Sequence, residues 1–307
     1  MKIKLSSHQA KIVDLLTIRR EINFSKIASS LRISQPLLMH HIASLEKRGV
    51  IQRFKIVLNQ SKSEQTYLTL LRVQGSKEQV VQDFKKKGVS FKWMYQTFGQ
   101  YDYIVAKKFA SPAEYQDMLL ELYHHSSAIE SHHTIIETSG AIYNTQFSGE
   151  IAREEMEYCD VEFPNDDFKR LLLSELKKDP LISQLKLAEK VGVSYPTLRI
   201  HLRELYAQKV ILGKRIRLNF DVLGLQQYYL FLSVNPIMLT RFKTLAYTLS
   251  GAIRFSHCIG QYNVMLEVIA SSQQEMEGVI NKVKENLADN LKALQLLHKT
   301  KEINMVT

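Results

Sequence analysis

The 307-residue sequence predicts an α+β chain in which one two-domain module is written twice. Three observations carry that prediction. The stretch LRISQPLLMHHIASLEKRGVI (31–51) aligns without a gap on VGVSYPTLRIHLRELYAQKVI (191–211), 160 residues later. Positive charge gathers around each copy: residues 1–60 carry 11 Lys+Arg against 3 Asp+Glu, and residues 167–220 carry 12 against 5. After each basic block, strand and helix patterns alternate in the same order. Within the aligned stretch Ser34/Ser194, Pro36/Pro196, Leu38/Leu198, His41/His201, Leu45/Leu205, Val50/Val210 and Ile51/Ile211 are identical. The alignment runs gapless from 7/167 to 59/219, then resumes at FGQYDYIVAKKFAS (98–111) and IGQYNVMLEVIAS (259–271). A whole module is duplicated, because a solenoid would repeat every 20–50 residues or so.

Each basic block reads as three helices. Ile12, Leu15 and Leu16 place an apolar stripe on the first, and FSKIASSLR turns Ile27, Ala28 and Leu31 inward on the second. Ser34 suits an N-cap, and Pro36 falls in the first turn of the third, where a missing N–H costs little. Leu38, Ile42 and Leu45 recur at i, i+4, i+7. Gly49 suits a left-handed helix end, and Lys209 stands at the matching place in the second copy. The alternating runs VIQRFKIVLN and VILGKRIRLN predict a two-stranded wing after each third helix. A helix, a short turn and a third helix opened by Ser-x-Pro describe a winged helix-turn-helix domain, whose projecting third helix fits the DNA major groove while lysines and arginines grip phosphates. Candidate DNA-contacting residues are Gln35, His40, His41, Ser44, Lys47, Arg48 and Arg53 in the first copy. In the second they are Tyr195, Thr197, Arg199, His201, Arg203, Lys214 and Arg215.

The remainder of each copy follows the order strand–helix–strand–strand–helix–strand. In the first these are YLTLLRVQG, KEQVVQDFKKKG, SFKWMYQTFG, YDYIVAKKF, SPAEYQDMLLELYHH and HTIIETSGAIY. That is the ferredoxin-like βαββαβ unit, whose open sheet face and edges invite pairing. The expected organisation is a winged helix-turn-helix domain at 1–60, a ferredoxin-like regulatory domain at 66–145 and an acidic linker at 149–166. A second pair follows at 167–221 and 226–305.

Other totals narrow the function. Hydrophobic residues make up 45% and charged residues 23%, as in ordinary globular chains, and no apolar run is long enough to span a bilayer. The N-terminus lacks a signal-peptide core. Two cysteines, Cys159 and Cys258, cannot build a disulfide framework, so a reducing cytoplasm is expected. Adjacent histidines (40–41, 124–125, 132–133) match no closed zinc site, and no metal or cofactor is expected. No phosphate-binding glycine loop or nucleophile elbow is present, so a non-enzyme is expected.

These features together resemble the Lrp/AsnC (feast/famine) family of transcriptional regulators over nearly the whole chain, twice. The carriers are 34–51 and 194–211, then LNFDVLGL (218–225), similar to the family's hinge, and GQYD (99–102), similar to a turn of its regulatory domain. The resemblance implies double-stranded DNA as partner and self-association through the regulatory domains. It also implies a small effector such as an amino acid, bound near Gly99, Gln100, Tyr101 and Asp102 and near Gly260, Gln261, Tyr262 and Asn263. The first copy lacks the hinge glycine seen as Gly224. Gln100 and Gln261 stand where an acidic residue is frequent, and Asn263 replaces the aspartate. The two halves are expected to pair within the chain and read an asymmetric operator, since Met39 faces Arg199 and Ala43 faces Arg203 in the alignment. Two rival readings remain. Siroheme decarboxylases share the two-domain build, but of their histidine- and arginine-rich strand pattern only His257 is present. A protein-interaction adaptor needs no DNA contact at all.

Overall fold

The computed structural model describes residues 2–305. In the first half, α1 (Ser7–Leu16), α2 (Phe24–Ser30) and α3 (Gln35–Lys47) lead to β1 (Ile51–Leu58), β2 (Gln60–Ser61), β3 (Gln65–Val73), α4 (Lys77–Lys86), β4 (Trp93–Gly99), β5 (Tyr103–Phe109), α5 (Pro112–His125) and β6 (Ile129–Tyr143). The connecting segment adds β7 (Glu155–Tyr158) and β8 (Asp160–Val161). The second half repeats the plan with α6 (Asp167–Lys178), α7 (Gln184–Val191), α8 (Tyr195–Ala207), β9 (Ile211–Leu218), β10 (Gln226–Val234), α9 (Leu239–Thr248), β11 (Ala252–Gly260), β12 (Val264–Ala270), α10 (Gln273–Leu287) and β13 (Leu291–Ile303).

The chain divides into two compact units that cut across the halves. One holds the residues up to Lys62 with Ala141–Leu225, and the other holds Ser63–Gly140 with the residues from Gln226 onward. Like therefore packs with like: both three-helix heads lie in the first unit and both βαββαβ repeats in the second.

In the first unit the expected helices form with the expected caps. Ser34 Oγ accepts from Leu37 N, and Ser194 Oγ accepts from Thr197 N, each at 3.3 Å. The predicted two-stranded wings do not form. Each run after the third helix is a single strand, and β1 pairs antiparallel with β9 of the other copy, Lys55 opposite Arg215 and Phe54 opposite Ile216. The reason lies in where their apolar side chains go. Ile216 and Leu218 of β9 enter the first head's core, while Ile56 and Leu58 of β1 pack on the second head's core. The crossing is held at both ends, by Asn59 N–H donating to the Val210 carbonyl (3.0 Å) and Asn219 N–H to the Val50 carbonyl (2.9 Å). At Gly213 a Cβ would stand 2.2 Å from the Arg19 carbonyl oxygen, so only glycine lets the chain after α1 bridge to β9.

The linker is folded against the first head. Buried Asp14 accepts from Thr145 Oγ1 (2.7 Å), Phe147 N (2.9 Å), Ser148 N (2.8 Å) and Ser148 Oγ (2.8 Å). Its acidic side chains meet basic ones of the first head, Lys11–Glu150 at 2.6 Å and Arg19–Glu154 at 3.2 Å, and β8 runs parallel to β2. The acidic linker expected at 149–166 is thus a strap.

The two copies solve their left-handed positions oppositely. Between the second and third helices Arg32 has φ +55° where Gly192 has +73°, and after the third helix Gly49 has φ +71° where Lys209 has +56°. A side chain in that region costs about 1–2 kcal/mol, partly offset by the extra unfolded freedom of glycine. Lys209→Gly is therefore expected to stabilise the protein by about 0.5–1 kcal/mol, read as a raised denaturant midpoint at unchanged slope.

In the second unit, eight strands among the described residues run in the order β11-β12-β10-β13-β4-β5-β3-β6, and β6 pairs with β11 to close the ring. The sheet edges of the two repeats thus satisfy each other, β4 on β13 with Gly99 opposite Leu297. Alternation along β3 sends Leu68 and Leu70 to the shared interior with Tyr229, Phe231 and Met265. Tyr67 and Leu71 face α4 and α5, where Phe84, Tyr115, Met118 and Leu122 bury them.

Candidate nucleic-acid interface

The buried seam of α3 is Leu38, Ile42 and Leu45, and that of α8 is Leu198, Leu202 and Leu205. Helical phase then fixes what projects. On α3 the exposed side chains include Gln35, Leu37, Met39, His40, Ala43 and Lys47; on α8 they include Tyr195, Arg199, Ile200 and Arg203. The Arg199 guanidinium lies 5.7 Å from the Tyr195 ring centroid, which orients it along the helix face. Gln35 accepts from Ser25 Oγ at 2.7 Å, tying α3 to α2, and Arg53 is exposed on β1.

Several candidates have other work. His41 turns back to α1 and stacks on His8, with ring centroids 6.1 Å apart. Its counterpart His201 turns back to α6, 4.8 Å from the ring of Phe168, which matches His8 in the alignment. Arg48 donates to Gln9 Oε1 (3.2 Å) and to the Lys4 carbonyl (3.1 Å), pinning the N-terminal segment. Thr197 shares a 2.8 Å hydrogen bond with Ser194, and Ser44 is half-buried. Arg215 is half-buried on the ribbon. Lys214, also half-buried, lies in a recess between the heads, where burial pushes its ammonium below the lysine range while Glu21 and Asp179 pull it back up. Leu37 and Ile200, 43% and 54% exposed, are absent from the sequence-derived set although they share the projecting faces. Phasing the outer face from Leu38 and Leu198 exposes both, and apolar groups there suit thymine methyls.

The two regulatory turns carry their own geometry. Asp102 Oδ2 accepts from Val73 N (2.9 Å), its Oδ1 pairs with Lys77 Nζ (2.5 Å), and its N–H donates to the Leu71 carbonyl (2.8 Å). Asn263 repeats this: Oδ1 accepts from Val234 N (2.9 Å), Nδ2 donates to the Val234 carbonyl (2.7 Å) and N–H donates to the Leu232 carbonyl (3.0 Å). The amide thus finds within the turn the second partner that Lys77 gives the aspartate. Tyr101 and Tyr262 are buried, and their phenols meet in the shared interior. Burial, then the Tyr262 phenol, pushes Tyr101 up to about 12. Gly99 (φ +143°) and Gly260 (φ +138°) lie under strands of the opposite repeat, where a Cβ would stand 2.8 Å from the Leu296 carbonyl and 2.7 Å from that of Thr134. Gln100 and Gln261 are exposed. The structure thus joins the two tyrosines to each other, and aspartate and asparagine to their own turns.

Comparison with known proteins bears on the heads. A family model described as winged helix-turn-helix DNA-binding matches residues 165–211. An HTH-type transcriptional regulator of Pyrococcus furiosus is 31% identical over 103 residues, 33% of this chain and 70% of the relative. The chain belongs to the HTH-type transcriptional regulators. A second such regulator, from Pyrococcus abyssi, is 30% identical over 101 residues, 32% of this chain and 69% of the relative. This HTH-type regulator has the plan that the Lrp/AsnC resemblance led one to expect, a three-helix head, a strand and a ferredoxin-like βαββαβ repeat in that order, twice, with the two wings replaced by the shared β1–β9 ribbon. The structure of the siroheme decarboxylase NirDL is similar across 96% of this chain and 91% of that one, with a TM-score of 0.65 and 13% identity, which is a likeness of fold. No helix among the described residues is long and apolar enough to cross a membrane.

The histidines on the regulator's first head give it an acid sensitivity. Burial first, then His8 and His40, pull His41 below the ordinary histidine value of 6.5. A base held neutral in the folded state binds fewer protons than in the unfolded chain. Its contribution to stability is therefore full above 6.5 and is lost as pH falls through 6.5 toward the folded value. The thermal midpoint is expected to drop between pH 7 and pH 5. His8→Phe, which copies the second head, is expected to shrink that drop in a calorimetric pH series.

Proposed function

We propose that this chain is a sequence-specific DNA-binding transcriptional regulator whose two heads read unequal half-sites of one operator. The observation that carries the reading is the pair of projecting helices with different outer faces on one ribbon-linked unit. Arg199 and Arg203 are free to address guanine edges on the second, while the first offers Gln35, His40 and Lys47 with Leu37 and Met39. The net charge of +10 supplies counterion release and a steep salt dependence. Selection of bound fragments from random duplex DNA tests it. An asymmetric site with its guanine contacts on one side is the expected outcome, and two equal half-sites or salt-independent binding would overturn it.

A second reading, a tetrapyrrole enzyme, draws on the whole-chain fold likeness to a siroheme decarboxylase. The histidine in question, His257, is half-buried on β11 with its ring 4.7 Å from Phe255, and burial followed by Lys243 pulls its pKa down. A neutral imidazole suits ligation or proton transfer. Absorbance titration with an iron tetrapyrrole separates the readings, since a saturable His257-dependent band favours the enzyme. Modulation by an amino acid is the finer part of the regulator reading. Pooled amino acids added to the DNA titration test it.

A further inference from the structure

A cavity of about 140 Å³ lies inside the first unit where the second head meets the segment after α1. Ile22 and Ile56 of the first copy and Leu176, Leu187 and Leu202 of the second form apolar walls. Lys214 of β9, Gln184 at the start of α7, Glu21 and Tyr206 complete the lining with polar groups. A second, more open hollow shares Glu21 and Tyr206 and is edged by Arg20 and Arg203. An apolar cavity of about 150 Å³ accepts benzene, so this space suits a ring or a branched alkyl group.

The repeat supplies an internal control. The alignment puts Phe24 where the second copy has Gln184, and Phe54 where it has Lys214. In the first head those two rings meet edge to face with centroids 6.4 Å apart and pack on the core. One copy plugs the groove with aromatics; the other leaves it open and lines it with an amide and an amine. An ammonium beside apolar walls is costly without a nearby anion. Glu21 is exposed, and together with Asp179 it offsets that cost only in part, since burial still holds the Lys214 ammonium below the lysine range.

We propose that this recess binds a small monocarboxylate with an apolar body, its carboxylate on Lys214 and its hydrocarbon between the isoleucine and leucine walls. A second carboxylate on the ligand would face Glu21, so monoanions are selected over dianions. The bound molecule touches both heads and thereby couples occupancy to their mutual placement. That consequence rests on the DNA-binding reading, whereas the binding itself does not.

Isothermal titration of the full chain with benzoate and isovalerate, with benzamide as a neutral control, tests the site. Saturable one-site binding of both carboxylates is expected, weakened about tenfold or more in Lys214→Met because the carboxylate loses its charged partner. Glu21→Gln is expected to tighten it severalfold by removing a competing carboxylate. The double variant Q184F/K214F, which restores the first copy's pair of rings, is expected to lose it while melting as the parent does. Benzamide binding as tightly as benzoate, benzoate heats unchanged in K214M or in the folded double variant, or no carboxylate heat with the folded parent would each overturn the proposal. Duplex binding of the same samples without ligand is read separately, so a failed pocket and a failed DNA reading give different results.

Discussion

Alanine at both Arg199 and Arg203 is expected to lower affinity for a selected duplex by about 2–6 kcal/mol, the sum of two contacts at about 1–3 kcal/mol each if both read bases as proposed. Both side chains are exposed on the outer face of α8, and Arg199 is already oriented over Tyr195. Fluorescence anisotropy on matched and permuted duplexes distinguishes two ways of losing affinity. A base-reading arginine loses affinity at one guanine position. A phosphate-gripping arginine loses it uniformly and reduces the salt slope by about one per residue. Alanine at Met39 removes only an apolar contact, so the same assay is expected to show a smaller loss on the other half-site. Equal losses from the two heads would remove the basis for an asymmetric operator.

The largest expected effect on folding is that of Asp14→Ala. Four hydrogen bonds converge on this buried carboxylate, three of them from residues 145 and 148 and one from Phe147 N. Removing it leaves the backbone donors of the strap without an acceptor and the buried Thr145 hydroxyl with only its longer 3.4 Å contact to Thr17, at a cost of about 3–4 kcal/mol. Chemical denaturation measures the loss, and limited proteolysis locates it if the strap after β6 becomes the first cleavage site. Asp14→Asn keeps the acceptor oxygen and is expected to recover part of the loss. A variant as stable as the parent would mean that the carboxylate does not organise the strap.

What the sequence made legible follows the range of the interactions involved. Helices, caps and repeats were readable because Ser34, Pro36 and the i, i+4, i+7 leucines act within a few residues of themselves. The pairing of β1 with β9 was not, because an alternating run is equally consistent with a local hairpin and with a distant partner. The buried destinations of Ile56 and Ile216 decide between the two. Asp14 gave a weak signal, a lone acid among Ile12, Val13, Leu15 and Leu16, but its partners lie some 130 residues away. At the site, phase alone predicted the exposed Arg199 and Arg203. His41 and Arg48 needed the neighbours His8 and Gln9 to show that each is engaged elsewhere, and Lys214 needed the second head, whose residues line the recess that half-buries it. The turn at Asp102 and Asn263 shows the reverse: two different side chains fill one structural role, which identity matching had scored as a departure.

The ribbon of β1 and β9 has a further consequence for how such a molecule changes over time. In an assembly of two identical chains, any substitution in the reading helix is inscribed on both sides at once, and a palindrome must follow it. Here tethering keeps the partners together even at extreme dilution, and no exchange with other copies is needed to form a pair. Under the proposed asymmetric reading, each head is therefore free to drift alone, and a new target needs only a one-sided match.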